Sequence, residues 1–122
     1  MKHSPRFVAI VDDAKQRIRE VTAGETNAKL QAGEDVLVLD VREESEWEQG
    51  HVRGATHMGK GIIERDIESV AGNLDREIIL YCGGGYRSAL AADNLQKMGY
   101  TNVASLAGGW RGWNELDLPV EN

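Results

Sequence analysis

The sequence lacks a second cysteine, a long apolar run and an excess of basic residues. One cysteine among 122 residues excludes an internal disulfide framework and fits a reducing compartment. No apolar run approaches the roughly 20 residues that a helix needs to cross a bilayer. The N-terminus contains Lys2 and Arg6 but no apolar segment typical of a signal peptide. We therefore expect a cytoplasmic protein.

The charge balance is acidic, with 14 Lys and Arg against 20 Asp and Glu and a formal net charge of −6. Nucleic acids and anionic membranes attract basic surfaces, so neither is expected as the main partner. A small anionic substrate stays open, because a local group of amides can outweigh a diffuse charge that salt screens. The length suffices for one domain with a real core and is too short for two.

The most informative stretch joins an apolar strand pattern to a helix pattern. Residues 77–81 are apolar and partly β-branched, which predicts a buried strand, and residues 89–98 are strong helix formers. Between them lies Cys82. A sharp turn from strand to helix places backbone amides at a helix N-terminus, where an anion is favoured. We therefore expect a lowered pKa for Cys82 and a catalytic thiolate, in preference to a small buried hydrophobe.

The residues after the cysteine suit a ring of amides around one sulfur. Gly83, Gly84 and Gly85 allow unusual backbone angles and leave no Cβ atoms in the way, so the loop can form an anion-binding nest. Arg87 adds a permanent positive charge at a place where a cation is otherwise unfavourable. Ser88 is placed either to cap the helix or to donate to the sulfur.

The other segments alternate between strand and helix patterns. Helices are predicted at 5–19, 24–31, 43–49, 60–70 and around Trp110 and Trp113, and strands at 20–22, 36–41 and 103–106. Residues 50–55 are predicted to form a turn into a further short strand that ends near Met58. This alternation predicts a three-layer α/β/α sandwich with a mostly parallel sheet of about five strands. We expect one domain over residues 1–122, with a helical extension at 1–16 that packs on a core at about 17–116. Ligands should bind off the carboxyl ends of the strands.

Three separated motifs resemble those of the rhodanese (sulfurtransferase) family. The active-site loop has a cysteine, four residues, an arginine and a serine, here Cys82, Gly83 to Tyr86, Arg87 and Ser88. The middle segment matches at Asp40, Arg42, Glu46, Trp47, Gly50, His51, Val52, Gly54 and Ala55. The third motif is a leucine, Leu106, followed by Gly-Gly and a tryptophan. The resemblance covers roughly residues 17–116 and departs from the family at Arg53 and Gly59, where proline is frequent.

The resemblance implies a thiosulfate sulfurtransferase that works through a persulfide on Cys82. A donor such as thiosulfate would give its outer sulfur to the thiolate, and the loop residues Gly83, Gly84, Gly85, Tyr86, Arg87 and Ser88 would hold it. Cyanide, a thiol or a protein outside this chain would accept the sulfur, because no second cysteine can resolve the persulfide. Asp40 and Arg42 would be chiefly structural. No cofactor or metal is implied, and the oligomeric state is not indicated.

Two other functions are compatible with this fold, namely phosphatase or arsenate-reductase chemistry and a protein-interaction module. Related phosphatases and arsenate reductases have one residue more between cysteine and arginine, so the shorter loop favours sulfur. Non-catalytic interaction modules of this fold typically lose the cysteine, which is present here, whereas a sulfur-relay module that docks on other proteins stays open as an alternative. His51 and His57 fit loop structure better than a Cys/His pair, and they have no metal-ligand spacing. We interpret Lys60 as solvated.

Overall fold

A computed structural model describes residues 2–122 of the chain. The helices are α1 (Pro5–Lys15), α2 (Ala23–Gln31), α3 (Glu44–Glu48), α4 (Ile63–Asp66), a 3-10 turn (Ile67–Ser69), α5 (Tyr86–Lys97) and α6 (Gly109–Glu115). The strands are β1 (Arg19–Val21), β2 (Val36–Asp40), β3 (His51–Val52), β4 (Thr56–His57), β5 (Glu77–Tyr81), β6 (Val103–Leu106) and β7 (Val120–Glu121). No helix within residues 2–122 is long and apolar enough to cross a membrane.

Five strands form one parallel sheet in the order β1-β6-β5-β2-β4. Side chains alternate across the central strand β5: Ile78 and Leu80 join a core cluster on one face, and Ile79 and Tyr81 join a cluster on the other. Leu95 of α5 packs into the first cluster, and a tryptophan of α6 packs into the second. Helices thus cover both faces, which explains the continuous apolar runs of the central strands. The predicted α/β/α sandwich is confirmed.

The first helix is shorter than its apolar pattern predicts. Ser4 caps it by accepting a hydrogen bond from the Phe7 amide at 3.3 Å. It ends at Lys15 and not near residue 19, because the chain must extend again to pair Arg19 with Ala104 at the sheet edge. The helix packs on α5 and buries two side chains there, Val11 and Ala14.

The segment from 50 to 70 is more irregular than predicted. The short strand expected to end near Met58 is β4, which extends the main sheet. The expected turn before it contains β3, which pairs with β7 in a separate antiparallel ribbon that sequence reasoning missed. The helix expected at 60–70 is reduced to α4 and a 3-10 turn. Only Ile63 and Ile67 are fully buried there, whereas Ile62 is 40% and Val70 39% exposed, so only one turn faces the core.

The helix after the glycine-rich loop begins earlier than predicted, at Tyr86 and not at Ala89. Its N-cap position is Gly85, whose φ of +97° lies in the left-handed region that favours glycine. Ser88 therefore lies inside the first turn and does not cap the helix, which corrects one of the two roles considered for it. The other role, donation to the sulfur, depends on the geometry of the loop.

Candidate active site

Cys82 follows β5 directly and lies at the carboxyl edge of the sheet, where the end of β2 is its neighbour. The cysteine is 1% exposed, so its sulfur is nearly enclosed by the loop that follows. A Cβ atom at Gly85 would lie 3.5 Å from the Gly108 amide and from the Leu106 carbonyl. The loop is therefore packed tightly against the start of α6.

Three donors surround the sulfur. The amides of Gly85 and Ser88 donate to the Cys82 Sγ at 3.2 and 3.4 Å, and the Ser88 hydroxyl lies 3.5 Å from it. The same hydroxyl lies 2.8 Å from the hydroxyl of Ser105 on β6. Because a thiolate can only accept, the Ser88 hydroxyl donates to the sulfur and accepts from Ser105.

This arrangement changes the acidity of the cysteine. Burial by itself raises the pKa of the Cys82 thiol, because it disfavours the charged form. The hydrogen bonds from the Ser88 hydroxyl and amide and from the Gly85 amide, together with the nearby Gly84 amide, outweigh burial and bring the pKa below its ordinary value. The site thus stabilises a negative sulfur, as the strand-to-helix position indicated.

We expect Ser88→Ala to raise the pKa of Cys82, because the hydroxyl that donates to the thiolate is removed while the amides stay. The rate of alkylation by iodoacetamide follows the thiolate, so its pH midpoint should move up and its value at neutral pH should fall severalfold. Ser69→Ala serves as the control, since the Ser69 hydroxyl bonds to the Asp66 carbonyl and not to the loop. An unshifted midpoint in Ser88→Ala would show that the hydroxyl does not stabilise the thiolate.

Arg87 is held at the pocket by a carboxylate. Its Nη1 and Nη2 atoms donate to the two oxygens of Glu46 at 2.9 and 3.3 Å, and this hydrogen bonding lowers the pKa of Glu46. The guanidinium also lies close to the loop, because a Cβ atom at Gly83 would be 3.3 Å from Arg87 Nη2. The sequence predicts that the positive charge of Arg87 stabilises the sulfur, but Glu46 of α3 neutralises part of that charge. Glu46 appeared in the middle motif, but its partner could not be read from the sequence.

The start of α6 clamps the backbone of the loop. The amides of Trp110 and Arg111 donate to the carbonyls of Cys82 and Gly83 at 2.7 and 3.1 Å. Gly109, with φ +52°, lies so close that a Cβ atom there would be 2.9 Å from the carbonyl carbon of Gly83. The second glycine of the third motif thus has a physical reason: only glycine at position 109 lets α6 approach the loop this closely.

Asp40 and Arg42 form a buried network beside the site and do not contact the sulfur. Arg42 donates to both oxygens of Asp40, with the shortest distance 2.8 Å, and its Nη2 also donates to the Gly50 carbonyl at 2.7 Å. The Tyr81 hydroxyl donates to Asp40 at 2.6 Å and accepts from the Val52 amide at 3.1 Å. Burial, and then the Asp40 charge, raise the pKa of Tyr81, so its hydroxyl stays protonated. The geometry ties the ends of β2 and β5 to β3, as a structural role requires.

The two histidines that were considered for a Cys/His pair, His51 of the middle motif and His57 of β4, hydrogen-bond to backbone carbonyls. His51 stacks on Trp47 with ring centroids 3.4 Å apart and has its Nδ1 atom 3.1 Å from the Trp47 carbonyl. His57 Nε2 lies 2.8 Å from the Arg42 carbonyl. Neither ring has a hydrogen bond to Cys82 among the contacts of residues 2–122. Within that range no group of three or more His, Cys, Asp or Glu side chains converges to hold a metal ion.

The tryptophans of α6 have different surroundings. Trp113 is fully buried in the core, and its Nε1 atom donates to the Pro119 carbonyl at 2.9 Å. Trp110 is partly buried and stacks under the Arg42 guanidinium, which lies 4.7 Å from the ring centroid. Both tryptophans thus have packing contacts in the fold. Lys60 does not line the pocket at Cys82.

A pocket of about 580 Å³ opens onto Cys82. Its walls are formed by His3, Phe7, Glu46, Cys82, Gly83, Gly84, Tyr86, Arg87 and Arg111. Sequence reasoning identified the loop residues but missed His3, Phe7 and Arg111. No local pattern marks those three, because the tertiary fold brings them to the pocket from the segment before α1, from α1 and from α6.

Comparisons with known proteins agree with this architecture. The family model described as Rhodanese-like domain matches residues 22–116. A sulfurtransferase of Allochromatium vinosum is 30% identical over 103 residues, which are 84% of this chain and 94% of that protein. YrkF of Bacillus subtilis, named as a candidate sulfur carrier protein, is 32% identical over 96 residues, or 79% of this chain. This chain spans 51% of the length of YrkF and less than a third of some other curated relatives.

A solved structure resembles nearly the whole chain. RPA3614 of Rhodopseudomonas palustris, a protein of unknown function described as a possible tyrosine phosphatase, superposes with a TM-score of 0.89 at 30% identity. The match covers 99% of this chain and 98% of that one, so it includes α1. The family model, by contrast, begins only after α1.

Proposed function

The chain belongs to the rhodanese-like domain family, and on that premise we propose that it is a sulfurtransferase working through a persulfide of Cys82. The observation that carries the proposal is the group of donors on one sulfur: the Gly85 and Ser88 amides and the Ser88 hydroxyl. These donors stabilise the thiolate, which is the nucleophilic form of cysteine. The relatives named as sulfurtransferases support the same class of reaction.

The proposed reaction has two halves, as in a ping-pong scheme. In the first, the Cys82 thiolate attacks the outer sulfur of thiosulfate or a similar donor. A bond forms between Sγ and that sulfur, the sulfur–sulfur bond of the donor breaks, and sulfite leaves with the electron pair. In the second, a thiophile attacks the terminal sulfur of the persulfide and the cysteine leaves as a thiolate. No oxidant or reductant is consumed.

The loop can stabilise both forms of the cysteine. Preorganised amides placed where negative charge develops lower a barrier in the way that an oxyanion hole does. The amides of the glycine-rich loop and the positive charge of Arg87 would stabilise the negative charge on the terminal sulfur of the persulfide, which lies in the pocket above Cys82. Because the chain has one cysteine, the acceptor is an external thiol or protein. A reactive cysteine of this kind fits the reducing conditions of the cytoplasm, which we include in the proposal.

A second candidate is phosphatase chemistry, since RPA3614 is described as a possible tyrosine phosphatase. A phosphate cradle needs loop amides that reach the oxygens of a tetrahedral group. Here the Gly85 and Ser88 amides already lie 3.2 and 3.4 Å from the sulfur itself. This closeness favours a cradle for one sulfur atom over one for phosphate.

Intact mass measurement tests the proposal. Incubation with thiosulfate should add one sulfur atom, about 32 Da, to the folded protein, and cyanide should remove it as thiocyanate. The same sample should not hydrolyse p-nitrophenyl phosphate above the buffer rate. Hydrolysis of the ester without a sulfur adduct would favour the phosphatase. If the protein neither gained sulfur nor hydrolysed the ester, an interaction module would be favoured.

A further inference from the structure

The N-terminal segment forms part of the pocket at Cys82. His3 and Phe7 line it together with Tyr86 of the catalytic loop. The ring centroids of Tyr86 lie 4.2 Å from His3 and 5.9 Å from Phe7, and His3 and Phe7 are 5.3 Å apart. We call these three rings the aromatic wall. Two of them lie outside the family-matched region, which starts at residue 22.

Two rings of the aromatic wall, Phe7 and Tyr86, are carried by helices that pack on each other beside the sulfur. Helix α1, which carries Phe7, packs on α5, and Tyr86 is the first residue of α5. Buried Val11 and Ala14 hold α1 in place, and Arg17 just beyond it donates to Asp93 of α5 at 2.8 Å. A wall supported in this way can contact a ligand without a large ordering cost.

Arg111 provides a cation in the same pocket. A Cβ atom at Gly84 would lie 3.9 Å from Tyr86 Cδ1 and 4.0 Å from Arg111 Nη2, so Gly84 lies between the aromatic wall and this guanidinium. Arg87 is already paired with Glu46, whereas Arg111 takes part in none of the ion pairs found among residues 2–122. Arg111 is therefore free to pair with an anionic ligand.

The pocket is larger than thiosulfate requires. Its volume of about 580 Å³ falls in the range of roughly 300–1,000 Å³ that is typical of sites for organic ligands. A small inorganic anion would leave the aromatic wall in contact with water. An organic group on the donor would cover the wall and gain the stacking and burial energy of aromatic contacts.

We propose that this pocket selects organic thiosulfonates, in which a sulfonyl group joins the sulfane sulfur to an aromatic or apolar body. The body packs on the aromatic wall through Phe7, and Arg111 pairs with the sulfonyl oxygens. The Cys82 thiolate forms a bond to the sulfane sulfur, the bond from that sulfur to the sulfonyl sulfur breaks, and a sulfinate leaves with the electron pair. This inference rests on the proposed sulfurtransferase function and names the class of its donor.

The test compares two donors, benzenethiosulfonate and thiosulfate, with saturating cyanide as acceptor. Phe7→Ala should lower kcat/KM for benzenethiosulfonate by roughly tenfold and leave that for thiosulfate within about a factor of two, because only the aryl donor reaches the wall. Each effect is the ratio of the mutant to the wild-type kcat/KM for one donor. Comparing these two ratios removes the difference in intrinsic reactivity between the donors. Ile10→Ala is the matched control, since Ile10 lies on the same helix, is 55% exposed and does not line the pocket.

Two more variants keep the outcome interpretable. Phe7→Leu retains apolar volume for packing of α1 but has no ring, so it should show a smaller loss of aryl selectivity than Phe7→Ala. Arg111→Ala should reduce kcat/KM for both donors. If Phe7→Ala changed kcat/KM for both donors equally, or for neither, the inference would be overturned. The proposed function would still stand in that case, because the protein would still transfer sulfur from thiosulfate. Absence of sulfur transfer from either donor would overturn both.

Discussion

Cys82→Ser is expected to abolish sulfur transfer, with a fall in turnover on the order of 10⁴-fold or more and no sulfur adduct after incubation with thiosulfate. The donors around the sulfur lower the pKa of a thiol, but a serine hydroxyl ionises so much less readily that they cannot make it a nucleophile at neutral pH. The chain has no other cysteine that could carry the sulfur. The measurements are thiocyanate formation and intact mass.

The fold should survive this substitution, which makes the loss of activity interpretable. A serine hydroxyl at position 82 is smaller than the thiol and can hydrogen-bond to the hydroxyl of Ser88 and to the loop amides. The thermal unfolding midpoint is therefore expected to stay within a few degrees of wild type. Turnover close to wild type in a folded Cys82→Ser protein would mean that sulfur is not carried by this residue, and the persulfide scheme would have to be abandoned.

The parts that the sequence predicts correctly are those whose cause is local. The strands β2 and β5 are recognisable because both faces are covered, so residues 36–39 and 78–81 form continuous apolar runs. The sulfur-centred loop is recognisable because converging amides require the glycines that follow Cys82. In both cases one continuous segment carries the whole signal.

The parts that the sequence does not predict depend on contacts between distant segments. Glu46 and Arg87 are 41 positions apart, and no pattern in α3 or α5 indicates that they pair. Phe7 reaches Tyr86 only because α1 packs on α5. The apolar pattern of α1 predicts a helix that packs on the core, but periodicity cannot say that one end of the same helix also lines the catalytic pocket.

Asp40→Ala is expected to destabilise the protein by about 3–5 kcal/mol, the largest stability effect that we predict. The substitution leaves the guanidinium of Arg42, which is 3% exposed, without its carboxylate, and it removes the acceptor of the Tyr81 hydroxyl. Both partners would then be buried without their main hydrogen bonds. Urea unfolding followed by tryptophan fluorescence gives the free energy directly. Asp35→Ala is the control, because Asp35 is 86% exposed in its pair with Arg76 and should change stability by no more than about 0.5 kcal/mol.

A double variant separates the penalty of an unpaired charge from the value of the pair. If Asp40→Ala is costly because Arg42 is left buried and unpaired, then adding Arg42→Met should recover part of the lost stability, although it removes a further hydrogen bond, to the Gly50 carbonyl. If Arg42 instead stabilises the fold mainly through that tie to the loop before β3, the two losses should add. Recovery would identify the network as one coupled unit, and additivity would show two independent contacts.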